Sequence, residues 1–133
     1  VIYGVGTDLI EIDRIAQAQA RFGERFAQRI LGPQELERLA ARTQRSPRRG
    51  LAYLATRFAA KEAISKALGL GMRLPMTWRA VEIVNAPSGR PVAIAHGELA
   101  LFLRAKRLRL HVSVTDERSI AMAYAVAEFE APE

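Results

Sequence analysis

The stretch RFAAKEAISKALGLG, Arg57–Gly71, decides the reading of this 133-residue chain. Its alanines, leucines and long charged residues favour a helix, and Gly69 supplies a stop. At about 100° per residue, Leu51, Leu54, Ala55, Phe58 and Glu62 share one side, with Ser65 and Lys66 beside them; Tyr53, Ala60, Ile64, Ala67 and Leu68 take the other. Both sides are apolar, which predicts a helix over 51–68 buried on two faces. A carboxylate in such a stripe is costly unless something pairs with it. The plain reading is an i,i+4 ion pair between Glu62 and Lys66, worth roughly 0.2–0.5 kcal/mol on an exposed helix. The sharper one is that Glu62 holds a cation and Lys66 meets an anion of the same ligand, which calls for a second carboxylate.

Working outward, VIYGVGTDLIEI at the start reads as a strand and contains Asp8, a residue type that strands disfavour. Asp8 is therefore the candidate second carboxylate, although a strand-end aspartate is also an ordinary thing. Two carboxylates from separate elements, completed by phosphate oxygens and water, suffice for Mg²⁺. From Asp13, taken as an N-cap, Ile15, Ala18, Phe22 and Phe26 follow helical spacing; Gly32-Pro33 then opens a short helix, PQELERLAAR. RTQRSPRRG, residues 42–50, reads as a basic loop. After the central helix come strands at WRAVEIV and PVAIA around the turn NAPSGRP, a helix near GELALFLRAKR, and a hairpin HVSVTDE/SIAMAYAVAEF turning at Asp-Glu-Arg. Helices in the first half and strands in the second predict an α+β fold: one domain over 1–133, a mostly antiparallel sheet packed around a long central helix.

Composition narrows the function. The chain has no cysteine, so disulfides, thiolate metal sites and cysteine nucleophiles are excluded. No signal-like start or membrane-length apolar run is visible, and the expectation is a soluble cytoplasmic protein with no membrane partner. Twenty Lys and Arg against fourteen Asp and Glu give a formal charge of +6, which suits an anionic partner: nucleic acid, acidic protein or phosphorylated small molecule. Gly69, Gly71 and Arg73 follow the helix but do not form a Walker loop. Arg90 in SGRP could meet an anion or simply decorate a turn. His96 and His111, the only histidines, fit no hydrolytic triad and no zinc spacing.

GVGTDLIEIDRI together with RFAAKEAISKALG resembles the paired signature of the phosphopantetheinyl transferases, G-x-D and F-x-x-K-E-x-x-x-K. With the chain length and HVSVTDERSIAMAYAV, the resemblance, from Ile2 to about Glu128, extends to the holo-(acyl-carrier-protein) synthase family among them. It implies transfer of the 4′-phosphopantetheine arm of coenzyme A to a serine of apo acyl carrier protein, with Mg²⁺, releasing adenosine 3′,5′-bisphosphate in support of fatty acid biosynthesis. Carried over by motif, Asp8 and Glu62 would hold the metal, and Lys66 would contact the pyrophosphate and act with them in catalysis. Arg57, Lys61, Gly69, Gly71, Arg90, Pro91 and His111 would be candidates for the nucleotide site. The resemblance also implies a homotrimer with active sites between subunits, and a basic docking face for the acidic carrier, assigned to Arg14, Arg21 and Arg25. Two positions depart from many relatives: GLGM lacks a threonine after the first glycine, and VTDE replaces a serine-histidine pair. Thr115 and Asp116 therefore receive no catalytic role.

Two other classes compete. A nucleic-acid-binding module would explain the charge but leaves Asp8 and Glu62 idle, and the few scattered aromatics do not make a base-stacking strand; no nucleic acid partner is expected. A non-catalytic scaffold would use the apolar helix and late strands for subunit contacts alone. Mg²⁺-dependent coenzyme A binding separates the enzyme from both.

Overall fold

The computed structural model describes residues 1–131. Strand β1 (Ile2–Glu11) leads directly into α1 (Ile12–Phe22), followed by α2 (Glu24–Ile30), α3 (Pro33–Arg45), the long α4 (Pro47–Ala67), a 3₁₀ turn (Trp78–Ala80), β2 (Val81–Asn85), β3 (Pro91–Ala95), α5 (Gly97–Lys106), β4 (Leu108–Glu117) and β5 (Ile120–Phe129). The fold is α+β as expected. An antiparallel sheet in the order β1-β5-β4 lies against α4, and β2-β3 forms a separate antiparallel hairpin.

Alternation explains how the sheet meets the helix. Ala121, Ala123, Ala125 and Ala127 of β5 are buried, as are Ala55, Ala59, Ala60, Ala63 and Ala67 of α4. Small residues on both surfaces allow a close approach. On β1 the approach is closer still: a Cβ added to Gly4 would stand 2.0 Å from Ala67 O, and one added to Gly6 would stand 2.0 Å from Ala63 O and 2.9 Å from Lys66 Cβ. Only glycine fits between strand and helix there. Asp8, two residues on, shares the inward face of β1 with Gly6 and Ile10 and pairs in register with Ala123.

Four expectations are corrected. The first helix is broken at Gly23 (φ 66°, ψ −153°), so the spacing from Phe22 to Phe26 crosses a kink; Phe22 is exposed while Phe26 stacks on Phe58 at 6.4 Å. Asp13 lies in the first turn of α1, and Glu11 takes the cap position without a side-chain bond. Residues 42–50 are not a loop: α3 runs to Arg45, Ser46 Oγ accepts the Arg49 N–H at 3.4 Å, and Pro47 opens α4. Ser-Pro is an N-cap and first-turn pair, a signal stronger than the surrounding charge. The last hairpin turns at Arg118 and Ser119, one step later than read.

Gly6→Ala should cost roughly 1–3 kcal/mol by forcing β1 off α4, read as a lowered urea midpoint. An unchanged midpoint would show that the strand has room to yield.

Candidate active site

Glu62 lies on α4 one turn before Lys66, and Asp8 reaches the same place from β1. The i,i+4 ion pair suggested by the spacing is not formed. Lys66 Nζ instead donates to Thr7 O at 2.8 Å and stands 3.4 Å from Asp8 Oδ1, with the lysine half exposed and the Asp8 side chain largely covered. Among the described residues the Glu62 carboxylate has no ion-pair or hydrogen-bond partner of its own. Its pKa is raised above the ordinary carboxylate value, first by burial and then by the negative charge of Asp8, with Lys66 opposing. Two carboxylates against one ammonium leave the cluster one negative charge in excess. A hard cation with free coordination positions is the natural complement. Gly69 (φ 72°) and Gly71 (φ 62°) end the helix that carries Glu62 and Lys66, and the N–H groups of Leu70 and Gly71 both donate to Ser65 O.

The other candidates do not join this cluster. Arg90, Pro91 and His111 line a separate cleft of about 670 Å³ between β3 and β4, together with Ser88 and Arg109. His111 lies on β4, across β5 from β1, and the alternation along the strands sets it on the opposite sheet face from Asp8. Its Nε2 is 2.9 Å from Glu128 Oε1, and this contact holds the Glu128 carboxyl below its ordinary range.

Arg57 is buried. It donates from Nε to Ile83 O (3.2 Å), from Nη1 to Thr56 Oγ1 (3.2 Å) and from Nη2 to Asn85 Oδ1 (2.8 Å), with its guanidinium 4.2 Å from the Tyr53 ring centroid. It forms part of the wall of a cleft of about 430 Å³ that Arg42 and Arg49 also border. Those two arginines were passed over in the sequence, where the run from 42 to 50 registered only as charge. Arg14, Arg21 and Arg25 are exposed, but Arg25 belongs to α2 beyond the Gly23 kink, so the three arginines are divided between two helices.

Lys61 is fully buried. Its Nζ donates to Ile30 O (2.6 Å), Glu35 Oε1 (2.6 Å) and Trp78 O (2.9 Å). An ammonium has three N–H groups, so none remains for a nucleotide. Glu35 Oε1 also accepts the Gly32 N–H, and Oε2 accepts the Ile83 N–H. Glu82 Oε2 accepts from the N–H groups of Gln34 and Glu35, and its Oε1 lies 2.9 Å from His96 Nε2. This network went unread in the sequence, whose only hint was acidic residues inside apolar surroundings, Glu35 near Leu36 and Leu39, Glu82 between Val81 and Ile83.

With fold and geometry in hand, the relationships are plain. The chain belongs to the 4′-phosphopantetheinyl transferase superfamily, whose model matches residues 4–125, and it is an enzyme of that transferase class. Its relatives are holo-[acyl-carrier-protein] synthases: it is 58% identical to the one from Cupriavidus taiwanensis over 128 residues, 96% of this chain and 91% of the relative. The crystal structure of the Neisseria meningitidis synthase superposes with a TM-score of 0.87 at 37% identity, covering 96% of this chain and 99% of that one. The Bacillus anthracis synthase, solved in complex with CoA (3′,5′-ADP), gives a TM-score of 0.78 at 30% identity, with 97% and 98% covered.

Glu82 offers a pH test. Burial alone would raise its carboxyl, but the N–H groups of Glu35 and Gln34 and the His96 ring together bring it below the ordinary 4.5. A lowered acid stabilises the fold fully above its unfolded pKa, and this contribution is lost as pH falls through the folded value. Glu82→Gln should therefore cost about 1–3 kcal/mol at neutral pH, and the gap to wild type should narrow as pH falls below the ordinary carboxylate value and through the lowered one. Urea titrations across that range would show it; a constant gap would mean that the charge on Glu82 is not what holds α3.

Proposed function

We propose that this chain transfers the 4′-phosphopantetheine group of coenzyme A to a serine of an apo acyl carrier protein, with Mg²⁺ bound, releasing adenosine 3′,5′-bisphosphate. It would serve fatty acid biosynthesis in the cytoplasm; among the described residues no helix is long and apolar enough to cross a membrane. The supporting observation is the convergence of Asp8, Glu62 and Lys66, with the Glu62 carboxylate unpaired beside Asp8. Among the described residues no three acidic, imidazole or thiol groups gather around one point. The protein would give two carboxylates, and substrate oxygens and water the rest.

The serine hydroxyl attacks the phosphorus bearing the pantetheine arm and gives up its proton to water, the bond from that phosphorus to the bridging oxygen breaks, and the nucleotide leaves with the electron pair. Such transfer depends on positioning and charge neutralisation. Mg²⁺, when bound, would supply charge neutralisation for the pyrophosphate. Asp8 and Glu62 would be its carboxylate ligands, and Lys66, anchored on Thr7 O, would present an ammonium to the same pyrophosphate.

A homotrimer with shared sites fits the separation of the two clusters. One chain would give Asp8, Glu62 and Lys66, and its neighbour the cleft of Arg90, Pro91 and His111. The outer sheet face supports association: Val5, Leu9, Met122 and Tyr124 are 40–60% exposed, an apolar surface that monomers seldom leave bare. Arg14 and Arg21, seven residues apart on α1, would dock the acidic carrier, with Arg25 beyond the kink extending the contact.

Incubation with apo carrier protein, coenzyme A and Mg²⁺ should add about 340 Da to the carrier by mass spectrometry, with nothing added in EDTA. Asp8→Ala and Glu62→Ala should each lower kcat/KM on the order of 100-fold or more; near-wild-type turnover in either would overturn its assignment. Arg14→Glu should raise the carrier KM by roughly tenfold while leaving the coenzyme A KM in place, and equal effects on both would remove the docking role.

A further inference from the structure

Nothing in the hydrophobic pattern of α4 says which way the helix should face. It is apolar all round, and Tyr53, Leu54, Ala55, Ala59, Ala60, Ala63, Ile64 and Ala67 are all buried. Turning such a helix about its axis would bury a similar apolar area, so the hydrophobic effect, being non-directional, does not aim Glu62. Directional contacts must do so. On the β1 side these are the glycine contacts and the bond from Lys66 to Thr7 O. On the far side the anchor is Lys61.

We propose that Lys61 is a positioning residue that locks the rotation of α4 so that the Glu62 carboxylate faces Asp8. Its three acceptors come from three segments, the end of α2 (Ile30), the first turn of α3 (Glu35) and the 3₁₀ turn (Trp78). Glu35 carries the connection onward to the Gly32 and Ile83 N–H groups. One ammonium thus fixes α4 against three neighbouring pieces of chain, including the helix that bears Arg25, and through Glu35 is tied to β2. Glu62, the next residue, stands about 100° round the axis, so any rotation at Lys61 swings it directly. Burial of a lone ion pair is seldom stabilising against apolar residues of similar volume. A geometric duty accounts for its presence here.

The inference rests on the proposed role of Glu62 as a metal ligand, and its test separates the two. Lys61→Met/Glu35→Leu replaces the pair with apolar groups and should keep a melting temperature close to wild type. Mn²⁺ serves as the paramagnetic probe, its binding read by electron spin resonance, and kcat is read by carrier modification. Both should weaken about 10- to 100-fold in the double variant, as when an orienting partner of a metal ligand is removed. A purely structural role predicts that regained stability brings back wild-type Mn²⁺ affinity and kcat, and that result overturns the proposal. Should the double variant not fold, Glu35→Leu, which leaves Lys61 only its two carbonyl acceptors, should still bind Mn²⁺ more weakly; unchanged affinity there overturns it equally. Wild-type Mn²⁺ binding without carrier modification would instead count against the transferase reading and leave the lock intact.

Discussion

β1 lies on α4 almost backbone to backbone, and the active cluster depends on that contact. Gly4 and Gly6 meet the carbonyls of Ala67 and Ala63 where no Cβ fits, which brings Asp8 to within ion-pair reach of Lys66. A larger residue at either glycine would lift the strand by the width of a methyl group. The two carboxylates, on elements far apart in sequence, would then separate. The alanine stripe on β5 continues the same close layer across the sheet, so the spacing is a property of the whole interface and does not rest on one turn.

Charge distribution follows from this closeness. Lys66 has a carboxylate one turn back on its own helix, yet it turns to the strand and takes the Thr7 carbonyl and Asp8. Backbone carbonyls fix an ammonium without neutralising it. The lysine, half exposed, stays within reach of an anion, and Glu62 remains unpaired, its pKa raised by burial and by Asp8. The cluster is electrostatically incomplete in a way that a cation bound with an anionic ligand would resolve. Ordinary surface pairs do not show this asymmetry.

Much of this was legible in the sequence, for identifiable reasons. Alternation gave β4 and β5, and the stop at Gly69 gave the end of α4, because both rest on local backbone preferences. Asp8 and Glu62 stood out as acids in apolar surroundings. The roles of Arg57 and Lys61 were not legible: a motif marks these positions as constrained without saying whether a ligand or the interior imposes the constraint. Lys61 satisfies three acceptors that lie 17 to 31 residues away, and no spacing rule reaches that far. In the run 42–50 the charge density resembles a loop, while Ser46-Pro47, an N-cap and first-turn pair, continues the helical path.

The Asp8 cluster and the cleft of Arg90 and His111 lie on opposite edges of one three-stranded sheet. β5 separates β1, with Asp8, from β4, with His111, and the two side chains leave opposite faces. Adjacent strands are about 4.8 Å apart, so a ligand would have to cross the sheet to engage both within one chain. A sheet this small cannot be bent to bring its edges together without losing the alanine layer that seats it on α4. In the proposed homotrimer a second copy laid against the exposed apolar face would avoid that cost, covering Val5, Leu9, Met122 and Tyr124. On that proposal, the packing that keeps the two regions apart within one chain would also supply the surface that joins them between chains.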